Sequence, residues 1–453
     1  MKKLLLILRT NQPDIQYVYI FLLAACLGIA VAWLTPPFSI PDEGAHYLRS
    51  FEVSRGHWVN SRGHVGVPLP CREYLVIAKQ YAPVAFYQVD AEKMQPNSEV
   101  CMVNSVNTAG AYSPIPYIAG ALGIRIAEYL GLNIETRLKL GRSANAILTS
   151  IICLLSVLFV RRYRLLLAAL VLLPMCIWLR ASLSADAMTI SISIFYLAYI
   201  LRLHEKQILI TRRVIALLSL LAILLGSMKP VYGLLSFSSL ILLKYSSEYR
   251  PKLVEMAALA VPGVAAFLAG SIWVIAADPS LVYINNFGGA NPTLQLHYIL
   301  NDPMNFAHTI ANTLRNNFTL FVGDALLPTL AITEWIPQQN RLLIASFFCI
   351  LLLFTMVTTP TSLRVWQRIV LLGLTSLVLI AVLTPSYLTY TLVGFDEILG
   401  LQGRYFLPLI FYAIIAGSVS KPLWFFAQDS LRLIIAVIFP LLISTFLVIY
   451  YLV

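Results

Sequence analysis

The chain of 453 residues is 59% hydrophobic and 12% charged, carries a net charge of +11 at pH 7 and has a mean hydropathy of +0.79. That composition excludes a soluble globular protein and specifies an integral membrane protein, and continuous apolar runs exclude a β-barrel, whose strands alternate in polarity. No basic tract is interleaved with aromatics, so nucleic acid is not an expected partner and the positive charge is a matter of topology.

Taken in chain order, apolar runs long enough to cross hydrocarbon begin at 17–35, just after Lys2, Lys3 and Arg9. Met1-Lys2-Lys3 with Leu23-Ala24-Ala25-Cys26 resembles a cleaved leader, but a cut there would split the first run, so a retained signal anchor is expected. A polar stretch, 36–142, follows. Further runs lie at 143–160, 165–180, 187–203, 213–227, 231–243 and 253–276. A second polar stretch, 277–340, separates these from runs at 341–357, 369–388, 405–420 and 431–452. Segment 113–130 contains two prolines, Arg125 and Glu128, and its side of the membrane decides every later loop.

Charge resolves that choice, because short loops rich in Lys and Arg stay cytoplasmic. If 113–130 stays outside the bilayer and the N-terminus is cytoplasmic, the inner loops collect Arg161, Arg162, Arg164, Arg202, Lys206, Arg212, Arg213, Lys244, Arg364 and Arg368. The short outer loops then hold only Arg180, Lys229 and Arg404. The expectation is one all-α membrane domain over 1–453, a bundle of about eleven transmembrane helices. Segments 36–142 and 277–340 carry short juxtamembrane helices on the periplasmic side, since structureless loops of that length are uncommon. Cys26, Cys153, Cys176 and Cys349 fall inside runs as small apolar residues, whereas Cys71 and Cys101 share the first outer segment and could form a disulfide.

On the outer face the acids and cations form a pattern. PDEGAHYLRSFEVSRG places Asp42 after Pro41 and before apolar residues at helical spacing, so Asp42 is expected to cap a short helix and Glu43 to sit in its first turn. His46 and Arg49 fall on that helix. Asp186 lies in SLSADAM, where Ser184-Ala185-Asp186 also reads as a helix cap. Lys229 in SMKPVYG and Arg404 in GLQGRYF are isolated outer cations, the latter flanked by Gln402, Gly403 and Tyr405. Guanidinium groups bind phosphate bidentately, and a carboxylate near them can take a proton from an attacking hydroxyl while the cations hold a departing phosphate.

The four stretches PDEGAHYLRSFEVSRG, SLSADAMTISISIFYLA, SMKPVYGLL and GLQGRYFLPLI, running from Pro41 to Ile410, together resemble GT-C membrane glycosyltransferases. They are most similar to a bacterial domain-of-unknown-function family of multi-pass proteins grouped with that fold. The resemblance implies an inverting transferase in the bacterial inner membrane that moves a sugar from a polyprenyl-phosphate donor to a cell-surface glycan or lipid acceptor on the periplasmic face. It implies Asp42 as the catalytic carboxylate with Glu43 as its rival, Lys229 and Arg404 as donor-phosphate ligands, and His46, Arg49, Asp186, Gln402 and Tyr405 in support. No metal is indicated; Asp186 is the residue that would hold a divalent ion if one were used, but no DxD pair accompanies it. A flippase or a polymerase of lipid-linked saccharides is the alternative reading.

Overall fold

The computed structural model describes residues 12–59, 67–69, 101–103, 108–244, 252–277, 290–328, 338–419 and 433–452. These are almost entirely helical. α1 (Gln12–Leu34) is followed by the short α2 (Glu43–Ser54), then by a two-stranded antiparallel ribbon in which Leu69 faces Cys101, and then by α3 (Ile118–Tyr129). Cys71 lies outside the described residues, and with it the expected Cys71–Cys101 pair; Cys26, Cys153, Cys176 and Cys349 are free.

The bundle continues through α4 (Ile134–Phe159), α5 (Arg164–Val171), α6 (Pro174–Arg180), α7 (Ala185–Glu205), α8 (Arg212–Met228), α9 (Pro230–Leu242) and α10 (Leu253–Ala276). Three short helices, α11 (Pro292–Asn301), α12 (Pro303–Asn316) and α13 (Phe318–Leu326), occupy the described part of the second polar stretch. The chain ends with α14 (Gln338–Thr358), α15 (Val365–Tyr390), α16 (Gly403–Gly417) and α17 (Phe439–Leu452). Among the described residues, six helices are long and apolar enough to cross a membrane, namely α1, α4, α7, α10, α14 and α15. Three shorter apolar helices begin at Pro230, Gly403 and Ile434. Residues 165–180, expected as one run, form two short helices broken before Pro174, whose ring cannot continue the α5 hydrogen-bond ladder. Segment 113–130 is no longer than the twelve-residue α3 plus a 3₁₀ turn, well short of the ~20 residues a crossing needs.

Local sequence explains most boundaries. α4 starts where the Asn133 side chain accepts from Thr136 N at 2.9 Å, and α7 where Ser184 Oγ accepts from Asp186 N at 3.2 Å. Between the terminal Arg164 and Arg180, α5 and α6 are apolar all round, and Leu166 through Leu173 are buried on every side, so this pair forms the centre of the bundle. Around it, α1, α4, α8, α10, α14 and α15 turn residues such as Leu22, Ile151, Leu220, Ile272, Ile350 and Leu377 outward. An apolar surface of this extent belongs against lipid, and the protein is a multi-pass membrane protein. Helix pairs meet through small residues: a Cβ on Gly226 would stand 2.1 Å from the Ala266 carbonyl oxygen, so α8 and α10 touch backbone to backbone.

Chain direction alternates cleanly. α1 ends, α4 begins, α7 begins and α8 ends at the level of Arg142, Asp186 and Lys229, while Phe159, Glu205 and Lys244 gather at the opposite end around one cavity. The two ends of the bundle are thus chemically different.

Candidate functional site

Four side chains singled out in the sequence meet at one end of the bundle. Asp186, in the first turn of α7, accepts from Lys229 Nζ at 2.5 Å through Oδ1, and its Oδ2 lies 3.1 Å from Arg404 Nε. Arg404 Nη2 donates to Asp42 Oδ2 at 2.6 Å. The Nε–Asp186 approach is short but poorly aligned, and Arg404 Nε makes no hydrogen bond, so that contact is an ion pair only. Asp42, Arg404, Asp186 and Lys229 form an alternating chain of two acids and two cations.

Each is presented by a local break in regular structure. Pro230 ends α8 and forces Lys229 into extended backbone (φ −146°, ψ 104°) between α8 and α9. Gly403 admits Arg404: a Cβ there would stand 2.1 Å from the Phe321 carbonyl oxygen and 2.6 Å from Ala325 N, so only glycine lets this turn lie on α13. Asp42 departs from expectation. It does precede α2, but in left-handed backbone (φ 63°), and its side chain makes no capping bond. With Phe38, also left-handed at φ 58°, it belongs to a sharply bent turn after α1 that aims its carboxylate at Arg404. Asp186 likewise does not cap α7, because Ser184 does.

The adjacent carboxylates have separate fates. Glu43 is fully buried and bidentate to Arg142, with Nε to Oε1 at 2.7 Å and Nη2 to Oε2. Arg142 spends its remaining protons on the carbonyls of Ala32 (3.1 Å), Thr35 (2.7 Å) and Pro36 (3.1 Å), pinning the end of α1. Asp42 has a side chain 53% exposed, against 5% for Asp186 and 4% for Arg404. One carboxylate is structural; the other faces outward beside a buried cation.

Aromatic rings enclose the cations. Lys229 Nζ lies 5.2 Å from the centre of the Tyr112 ring and 5.1 Å from that of Tyr405, and Arg404 sits 5.5 Å from the latter. Tyr232 Oη donates to the Tyr405 carbonyl at 2.8 Å. His46 bonds Tyr117 Oη at 2.8 Å and stacks on Tyr112; burial pushes its pKa down to about 4, so it is neutral at pH 7. Burial raises the Tyr112 phenol well above its usual range, and the charges of Asp186 and Asp42 add to that.

Arg49 stands outside the charged chain. Its guanidinium pairs with Glu52 at 2.9 Å and donates to the carbonyls of His57, Trp58 and Tyr112, so it holds Tyr112 in place. Gln402 precedes the Gly403 turn and its side chain makes no bond to the charged chain among the described residues. Arg142, Tyr112 and Tyr117 were not singled out in the sequence, because each is one of many similar residues and meets its partner only through long-range folding. Among the described residues no group of three His, Cys, Asp or Glu side chains could hold a metal ion, and Asp186 is already engaged by two cations.

No curated protein and no solved structure matches the chain. A family match does cover the region that contains all four residues of the charged chain, from residue 25 to residue 413, under the description predicted membrane protein (DUF2142). The chain belongs to that family of membrane proteins.

Proposed function

We propose that the protein is an inverting glycosyltransferase of GT-C type, taking a sugar from a polyprenyl-phosphate donor and passing it to a glycan or lipid acceptor at the periplasmic face of the bacterial inner membrane. The observation that carries this reading is the exposed Asp42 carboxylate bonded to a buried Arg404 that is itself linked to Asp186 and Lys229. In this reading the bundle has about eleven spans and a cytoplasmic N-terminus, as the loop charges of the sequence suggest.

The chemistry follows from the charges. Asp42 takes the proton of the acceptor hydroxyl as that oxygen forms its bond to the anomeric carbon. The bond from that carbon to the phosphate oxygen breaks on the opposite face, and its electron pair leaves with the phosphate. Arg404 and Lys229 hold the charge that develops on the leaving group, at a site whose partial burial strengthens the attraction. Each cation already has a carboxylate partner, so the incoming phosphate competes with Asp42 for Arg404. Donor binding would thereby release Asp42 to act as base. Glu43, fully buried with both oxygens turned onto Arg142, is shielded from an acceptor hydroxyl.

The test is transfer by the purified protein from a polyprenyl-phosphate sugar, comparing Asp42→Asn with the native chain. Loss of transfer by about 10² or more, with unchanged folding, is the expected outcome for a missing base. Full activity in that variant refutes the assignment. Movement of the lipid across a vesicle without sugar transfer would instead favour the flippase reading.

A further inference from the structure

At the end of the bundle remote from Asp42 lies a cavity of about 1250 Å³ lined by seven Arg and Lys side chains and two carboxylates. Its position is fixed by α7, which carries Asp186 in its first turn and Arg202 and Glu205 in its last. At about 1.5 Å per residue the two sites stand roughly 30 Å apart, a hydrocarbon thickness.

A structural role accounts for only part of this charge. Arg164 donates to the carbonyls of Val157, Leu158 and Val160, and Arg202 to that of Phe159, so these two arginines close the end of α4. The acids are also occupied: Glu205 accepts from the backbone N–H of Arg161 and Arg162, and Glu255 from that of Lys252. Arg161, Arg162, Lys206 and Lys244 are exposed and have no carboxylate at ion-pair distance among the described residues. They converge on a concave wall that combines the polar side chains of His204, Gln207 and Gln367 with an apolar strip formed by Leu158, Leu242 and Leu243. A topological excess of cations would be satisfied by convex loops; here the cations face inward on a volume larger than most small-molecule pockets.

We infer that this cavity binds a phosphate-bearing anion with an apolar remainder, the phosphates engaging Arg161, Arg162, Lys206 and Lys244 and the apolar part resting on Leu242 and Leu243. Basic pockets between transmembrane helices hold anionic headgroups in this way. The same chemistry is offered by a lipid headgroup and by a soluble phosphate compound.

The experiment uses the full chain in neutral detergent, with native mass spectrometry reading retained ligand. The probes are phosphatidylglycerol, phosphatidylcholine and inorganic pyrophosphate. Phosphatidylglycerol is expected to be retained over phosphatidylcholine. The variant Arg162→Gln/Lys206→Gln/Lys244→Gln should weaken that retention on the order of a hundredfold. Arg212→Gln/Arg213→Gln, which removes two exposed bases outside the cavity wall, is the control and should change it by less than about threefold. Displacement of the lipid by pyrophosphate identifies a soluble phosphate compound as the ligand; resistance to it identifies a lipid headgroup. Equal retention of both lipids together with no pyrophosphate binding overturns the proposal, as does a control variant that loses as much as the triple one.

Discussion

Replacing Glu43 by Gln tests the division of labour between the two adjacent carboxylates. The change keeps the shape of the side chain and removes its charge, leaving the Arg142 guanidinium fully buried without a counter-ion. Breaking a buried ion pair from one side costs about 3–5 kcal/mol, a large part of the 5–15 kcal/mol that holds an ordinary domain together. Arg142 would keep its bonds to Ala32, Thr35 and Pro36 and one neutral amide-oxygen acceptor but would face an NH2 donor in place of the second carboxylate oxygen, so the turn that carries Asp42 should loosen as well. By contrast Asp42→Asn alters a half-exposed group and leaves Arg404 paired with Asp186, so its cost should stay within about 1 kcal/mol. The assay is denaturant unfolding in mild detergent for both single variants and for Glu43→Met/Arg142→Met. That double variant should be more stable than Glu43→Gln, because it removes the stranded charge together with its partner. A Glu43→Gln protein as stable as the native chain, or an Asp42→Asn protein several kcal/mol weaker, refutes the reasoning.

Arg404→Gln should lower transfer by about 10² or more, with a raised KM for the donor as well as a lower kcat, because the guanidinium both binds the incoming phosphate and acts where charge develops; steady-state kinetics with varied donor checks this. Gly403→Ala adds a methyl against the Phe321 carbonyl and Ala325 N, so it should cost about 1–3 kcal/mol in unfolding experiments and displace Arg404 without changing any charge. His46 has its pKa lowered by burial to about 4 from an ordinary 6.5, so below pH 6.5 the unfolded chain binds the extra proton first. Stability should therefore fall between pH 6.5 and pH 4, and thermal scans of His46→Gln across that range should show a flatter profile.

The membrane class, six of the apolar runs as long helices and the meeting of Asp42, Asp186, Lys229 and Arg404 at one end of the bundle were legible because hydropathy and loop charge are local properties of the sequence. Residues 165–180 were misjudged as one run: apolarity marks burial, and it does not reveal that Pro174 divides the segment. The cap expected of Asp42 failed for a different reason. Its residue type and spacing suit a cap, but the bend that begins at Phe38 puts its backbone at positive φ, and that bend depends on Arg142, 106 residues from Pro36. The same distance hid the role of Glu43, which in sequence is indistinguishable from a first-turn acid.

The bond between Arg404 and Asp42 spans 362 residues of chain. At about 5–20 residues per second, synthesis would separate the two partners by roughly 20–70 s. During that interval Asp42 lacks the Arg404 guanidinium, and Asp186 waits with Lys229 alone. A chain that stops before α16 lacks Arg404, the residue that ties α16 to the turn after α1. The charged chain thus closes late: its Arg404–Asp42 link can form only after α16 has been made.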